Sequence, residues 1–183
     1  RKYLMQEPRE TDDAYDTRLA RSTVVPYLQR IEKMLSGMLT RKSIRLDNVS
    51  DLVREQLFDV DLEGNDLNVW LYETARTAIS FGHVGVLVDA PKEGDKTRPY
   101  WVTYSPRNIL GWRSEVIDGA RQLTQLRLLE NVVEPDGKYG EKQVKQIRVL
   151  ERGRYEIHRK DKKNSEYKLF DEGEMSLKDK IPF

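Results

Sequence analysis

The sequence predicts an α+β fold: N-terminal helices followed by a mainly antiparallel strand meander. Three observations carry this. Apolar residues recur at helical spacing as far as Phe81, and from Val84 the period falls to two. The later apolar runs are separated by short Gly-containing turns at Asp118-Gly119, Pro135-Asp136-Gly137 and Arg152-Gly153. Runs of helices and then of strands are the pattern of an α+β architecture.

The elements follow in order. Thr11 stands where a helix N-cap belongs, with Asp12 and Asp13 in the first turn, where carboxylates favour the helix dipole. Tyr15, Leu19 and Ser22 share one face, with Arg18 and Arg21 beside it. Pro26 has no N–H to give the preceding turn, so it kinks this helix or begins the next. Beyond it Tyr27, Ile31, Met34, Leu35 and Met38 form an apolar stripe at helical spacing, interrupted by Gly37. Ser50 caps a short helix expected to turn Leu52, Val53, Leu57 and Phe58 inward. Asn65 or Asp66 caps the strongest helix, whose face is Leu67, Trp70, Leu71, Thr74, Ala78 and Phe81, and Gly82 occupies the C′ position.

Val84–Ala90 then reads as a buried strand, Pro91–Arg98 as a polar loop and Pro99–Ser105 as a second strand. Successive strands follow from Arg107. Alternation is cleanest over Gln122–Leu128 and Val144–Leu150, as in antiparallel strands with one wet face. The chain divides into a helical arm over 1–46 and an α+β domain over 47–183.

Composition narrows the function classes. With 38% hydrophobic and 34% charged residues, the chain is polar for a globule, yet aromatic and branched residues recur throughout. That balance suits a subunit with much surface per residue. There is no Cys, which excludes a disulfide framework and a thiolate metal site. No apolar run approaches the roughly 18 residues of a membrane span, so no membrane association is expected. The chain starts at Arg1 without the apolar core of a signal peptide, and the expectation is a piece of a longer protein.

Net charge is only +1, but it is distributed in blocks. Arg41–Arg45 is basic, Asp47–Asp66 is strongly acidic, and Lys138–Lys168 is basic again around "HRKDKK". A single block is most often a solvated face; alternating blocks suit contacts between subunits or with a charged polymer. The candidates for complementary subunit contacts are Arg41, Lys42 and Arg45 against Asp59, Asp61, Glu63 and Asp66.

Catalytic motifs are absent from the sequence, and no catalytic, cofactor-binding or metal-ligating residues are assigned. Gly82-x-x-Gly85 lies between a helix and a strand, whereas a phosphate loop needs the reverse order so that free N–H groups face the anion. Gly82 is therefore a helix stop, and Gly85 a place where another element approaches the strand. Asp89 reads as a carboxylate capping the loop before Pro91 rather than as a metal ligand or catalytic acid. His83 and His158 lack partners at ligand spacing, and "DVDLEGND" lacks EF-hand spacing, leaving a looser cation site there as the residual metal reading. An enzyme using a metal held by Asp89 and this loop is the weakest of the functional readings. Arg98, Tyr100, Trp101, Arg107, Trp112 and Arg113 interleave cations with aromatics, which suits a half-buried strand, an interface or, less well, a nucleic-acid contact.

The order of motifs adds a family resemblance. "YLMQEPRETDDAYDTRLARSTVVPYLQRIEKMLSGMLTRK" has a Tyr-Leu lead, a Y-x-x-R-L-A-R helix and a G-M-x-x-R-K helix end. "DVDLEGNDLNVWL", "GHVGVLVDAP", "RPYWVTYSPRNILGWR", "QLRLLE", "IRVLERGRYEIHR" and the final "IPF" follow. Together they cover nearly all 183 residues and resemble the tailed-phage portal-like (head-to-tail connector) family. The resemblance implies a structural subunit that hydrolyses nothing. Such subunits form rings, usually of twelve, at one capsid vertex, through which double-stranded DNA is packaged and ejected.

It further implies capsid or scaffold protein, terminase and tail adaptor as partners. The expected location is the virion, with the host cytoplasm during assembly. Residues 47–183 would be the outer wing-like domain. The channel-lining helices, with the direct DNA contacts, would lie after Phe183. The alternative is a nucleic-acid-binding module built on the aromatic–Arg strands and the basic C-terminal segment.

Overall fold

The structure, a computed structural model, describes residues 4–23, 25–89, 98–160 and 166–183. Four helices come first: α1 (Asp12–Arg21), α2 (Tyr27–Leu39), α3 (Asp51–Gln56) and α4 (Leu67–Phe81). Their ends follow from local chemistry. The Thr11 hydroxyl accepts the Ala14 N–H, the Ser50 hydroxyl accepts the Val53 N–H, and one Asp66 oxygen accepts those of Asn68 and Val69. Pro26 stands just before α2 and begins a new helix rather than kinking the old one. Gly82 closes α4 at φ 85°, a left-handed conformation that a Cβ would disfavour, and its N–H reaches the Ala78 carbonyl.

Two sheets follow. Strands β1 (Gly85–Asp89) and β2 (Tyr100–Tyr104) form an antiparallel ribbon, with Gly85 opposite Tyr104 and Asp89 opposite Tyr100. After a 3₁₀ turn at Pro106–Asn108 come β3 (Ile109–Ile117), β4 (Ala120–Asp136), β5 (Gly140–Glu151), β6 (Arg154–Lys160) and β7 (Tyr167–Glu174), an antiparallel meander in sequence order. The β3–β4 hairpin closes over Asp118 and Gly119, both at positive φ, as a two-residue turn requires. The α+β architecture of helices followed by a mainly antiparallel meander is the one the sequence predicts.

Pleating explains how the layers stack. Residues paired across the ribbon share a face, so Gly85, Leu87, Asp89, Tyr100, Val102 and Tyr104 point one way and Val86, Val88, Trp101 and Thr103 the other. The first set meets the five-stranded sheet: Leu87 and Tyr104 join Leu126, Leu128, Leu150 and Ile181 in the core. On the second face Trp101 meets Trp70 of α4 edge-on, with ring centroids 4.8 Å apart. The ribbon is thus held between α4 and the sheet, and α2 lies in turn against α4.

The last three residues complete this layer. Ile181 enters the core, the Pro182 carbonyl accepts the Val88 N–H at 2.9 Å, and the Phe183 ring lies on Gly85. A Cβ on Gly85 would come within 2.1 Å of the ring's far edge, the close approach that the sequence predicts at this glycine.

Two features depart from a self-sufficient core. The accessible surface is 14282 Å², against about 9,200 Å² for a compact monomer of the same mass. Leu52, Val53 and Phe58 were expected inward, but all three are exposed, Phe58 at 73%. The cause is the brevity of α3: six residues give too little helix to carry an apolar face onto α4 and still meet Leu67, whose N–H is held by the Leu57 carbonyl.

Candidate assembly surface

The apolar stripe of α2 faces away from the chain's own core. Tyr27, Leu28, Ile31, Met34, Leu35, Met38 and Leu39 are all exposed, Leu28 and Met38 to about two thirds. The residues α2 buries are Glu32 and Ser36, roughly a third of the way round the helix. Ser36 is fully buried, and so small a side chain lets α2 approach α4 closely. Leu28, Ile31, Leu35 and Met38 fall at spacings of three, four and three, the seam of a helix that packs against another helix or a flat apolar partner. An exposed contiguous stripe of this kind marks an interaction surface.

A second apolar patch surrounds α3. Leu52, Phe58, Val53 and Leu62 are exposed there. Leu62 stands at φ 65°, which costs a leucine about 1–2 kcal/mol of backbone strain. The loop that presents it is tied by its own carboxylates: Asp59 accepts the Gly64 N–H, and Asp61 accepts the N–H groups of Glu63 and Asn65 and the Asn65 amide. Burial alone would raise the Asp61 carboxyl, but the Asn65 amide and the two backbone N–H groups outweigh it and hold it below the usual carboxylate range.

The sequence-assigned charged residues thus fall into two groups. Arg41, Lys42 and Arg45 lie in the exposed segment after α2. On the acidic side Glu63 is exposed, whereas Asp59, Asp61 and Asp66 hold the loop and the α4 N-terminus together. Asp59 also pairs with Arg98. These acids shape the patch as much as they charge it.

The aromatic–Arg set is likewise divided. Arg98 donates to the Asp59 carbonyl, Trp101 lies on Trp70, and the Trp101 N–H reaches the Val60 carbonyl. The Tyr100 hydroxyl donates to Asp89, and Arg107 sits 5.0 Å from the Phe81 ring centre. Trp112 and Arg113 are exposed on β3, an edge strand of the meander.

Between ribbon and sheet lies a polar network that motif reading missed. Arg148 reaches Asp89 at 2.7 Å and Glu130 at 2.9 Å, the Tyr104 hydroxyl donates to Glu130 at 2.6 Å, and the Gln146 amide donates to the other Glu130 oxygen at 2.6 Å. Arg159 extends it, donating to Gln146 and Glu134 beneath the Phe170 ring. Burial pushes the Tyr104 phenol well above its ordinary value, with the Glu130 charge adding to it. Burial also works against the Arg148 charge, but Glu130 and Asp89 outweigh it and keep the guanidinium protonated.

Asp89 therefore bridges two sheets, while the loop it was expected to cap lies outside the described residues. Arg148 and the Tyr100 hydroxyl hold it there, an arrangement that ties the two layers together. The sequence did carry a signal: Gln146 and Arg148 occupy inward positions on β5 beside Val144 and Leu150, so the alternation there is not simply apolar.

His158 lies 3.0 Å from Glu156 on β6, and among the described residues no group of three or more His, Asp and Glu is placed to hold a metal. No helix among them is long and apolar enough to cross a membrane. No protein-family model and no curated protein matches the sequence.

Proposed function

We propose that this chain is part of a structural subunit of a tailed-phage portal ring. In that ring it supplies contacts to neighbouring subunits and to capsid or scaffold protein, while double-stranded DNA passes through parts of the product that follow Phe183. The observation that carries the reading is the outward apolar stripe of α2. A chain that exposes about half as much surface again as a compact monomer, and turns a helical seam to solvent, is built to be covered by a partner. The motif order from Tyr3 to Phe183, in its resemblance to portal-like chains, supports a neighbouring subunit as that partner. The basic block between α2 and α3 and the acidic block that contains α3 suit repeated contacts in a ring.

Terminase and tail adaptor would engage other parts of the assembly, and the chain would perform no hydrolysis itself. Native mass spectrometry of the full product of the gene tests the reading: species of about twelve copies support it. A strictly monomeric or dimeric product, in the presence of its capsid and scaffold proteins, would end it.

A further inference from the structure

We infer that neighbouring copies join head to tail, the α2 stripe of one seated on the α3 patch of the next. This deepens the ring-subunit reading and rests on it. Each surface needs an occupant, and a second copy supplies both at once. The seven exposed apolar side chains of α2 offer on the order of 800 Å², what one partner contributes to an interface of standard size. The α3 patch, with Leu52, Phe58 and Leu62 exposed, is a second apolar surface on the helical side among the described residues.

Charge decides which surfaces meet. Beside the stripe and in the segment after it the exposed charges are Arg30, Arg41, Lys42 and Arg45, while Glu32, the acid on α2, is buried and Lys33 lies on the opposite face of the helix. Packing α2 on its own copy would therefore set cation against cation, which costs affinity. Around the α3 patch the exposed charges are mainly acidic: Asp47, Asp51, Glu55 and Glu63, with Arg54 the exception. A basic-rimmed apolar ridge thus faces an acidic-rimmed apolar patch. Two different surfaces joined in this way make a heterologous contact, the kind that propagates until it closes into a ring. The strained Leu62 fits the same picture, because an apolar side chain held outward gains its place when a partner buries it.

The test uses two double variants of the chain, Leu28→Glu/Met38→Glu and Leu52→Glu/Phe58→Glu. All four positions are well exposed, so circular dichroism and melting curves should match the parent. Sedimentation velocity is expected to give species beyond dimer for the parent, weakened by salt, and at least a hundredfold weaker association for either variant alone. Mixed one to one, the variants have a single intact stripe and a single intact patch between them, and should form a dimer that grows no further. A parent that stays monomeric to about millimolar concentration would overturn the inference, as would an α3 variant that still assembles like the parent, or a mixture that stays monomeric.

If a glutamate variant fails to fold, Arg41→Glu/Lys42→Glu takes its place. It should weaken association about tenfold or more and be rescued by a partner carrying Asp51→Lys/Glu63→Lys; absence of both effects counts against the inference. The portal reading is judged separately. Rings formed by the full gene product with both patches charged would sink the docking scheme and leave that reading standing.

Discussion

Replacing Arg148 with Met should loosen the ribbon from the sheet, and the size of the loss follows from the network. Arg148 makes two ion pairs, at 2.7 Å to Asp89 and 2.9 Å to Glu130, with side-chain exposures of 21%, 20% and 11% for the three groups. Removing one partner of a fully buried pair costs about 3–5 kcal/mol, because the charge left behind has lost both water and counterion. Residual solvent access discounts this to about 2–4 kcal/mol here. Methionine keeps most of the aliphatic volume, so a cavity adds little. For a chain of this length each kcal/mol lowers Tm by about 2–4 °C, giving a fall of roughly 6–12 °C in the middle of the range.

Urea unfolding followed by tryptophan fluorescence reads the change directly, since Trp101 and Trp70 meet on the far side of the ribbon. The midpoint should fall with the slope unchanged. A loss below about 1 kcal/mol would refute the view that this network latches the layers.

Three further outcomes test the same architecture. Gly85→Ala must displace the Phe183 ring and should cost about 1–3 kcal/mol; combined with Phe183→Ala the loss should be clearly less than additive in a double-mutant cycle. Asp66→Ala removes the acceptor shared by the Asn68 and Val69 N–H groups and should cost about 1 kcal/mol, visible as a lower urea midpoint. The raised Tyr104 phenol gives an alkaline signature. Its folded value lies above the unfolded one, so its contribution is full below pH about 10 and is lost as the pH rises through the folded value. Unfolding curves between pH 8 and 11 should show this fall, and Tyr104→Phe should flatten it.

Much of the architecture was legible because its signals are local. Caps at Thr11 and Ser50, the stop at Gly82 and the hairpin at Asp118-Gly119 each depend on a few adjacent residues and stand where the sequence put them, and the α4 cap is Asp66, one of the two adjacent residues the sequence offered. The direction of an apolar face is not local. The α2 stripe has the same period whether it meets its own core or a neighbour's, and only the burial of Ser36 on α4 shows which side the chain itself covers. For α3 the inward expectation failed because a helix of six residues can present apolar side chains without having room to bury them. The polar network was hidden for a related reason: Asp89, Glu130, Gln146 and Arg148 come from three strands, and no spacing within one strand predicts their convergence. Gly85 could be assigned a close approach, but that the visitor is Phe183 is a long-range fact.

Negative-stain imaging of the full gene product, with end-on views averaged, tests the central claim most directly. A closed ring of about a dozen subunits is expected, around an axial opening wide enough to pass a DNA duplex and with this chain's domain at the periphery. Discrete closed dimers, open filaments or single subunits in the presence of capsid and scaffold protein would contradict it. Salt-dependent capture of DNA by this isolated chain would then favour the nucleic-acid-binding alternative.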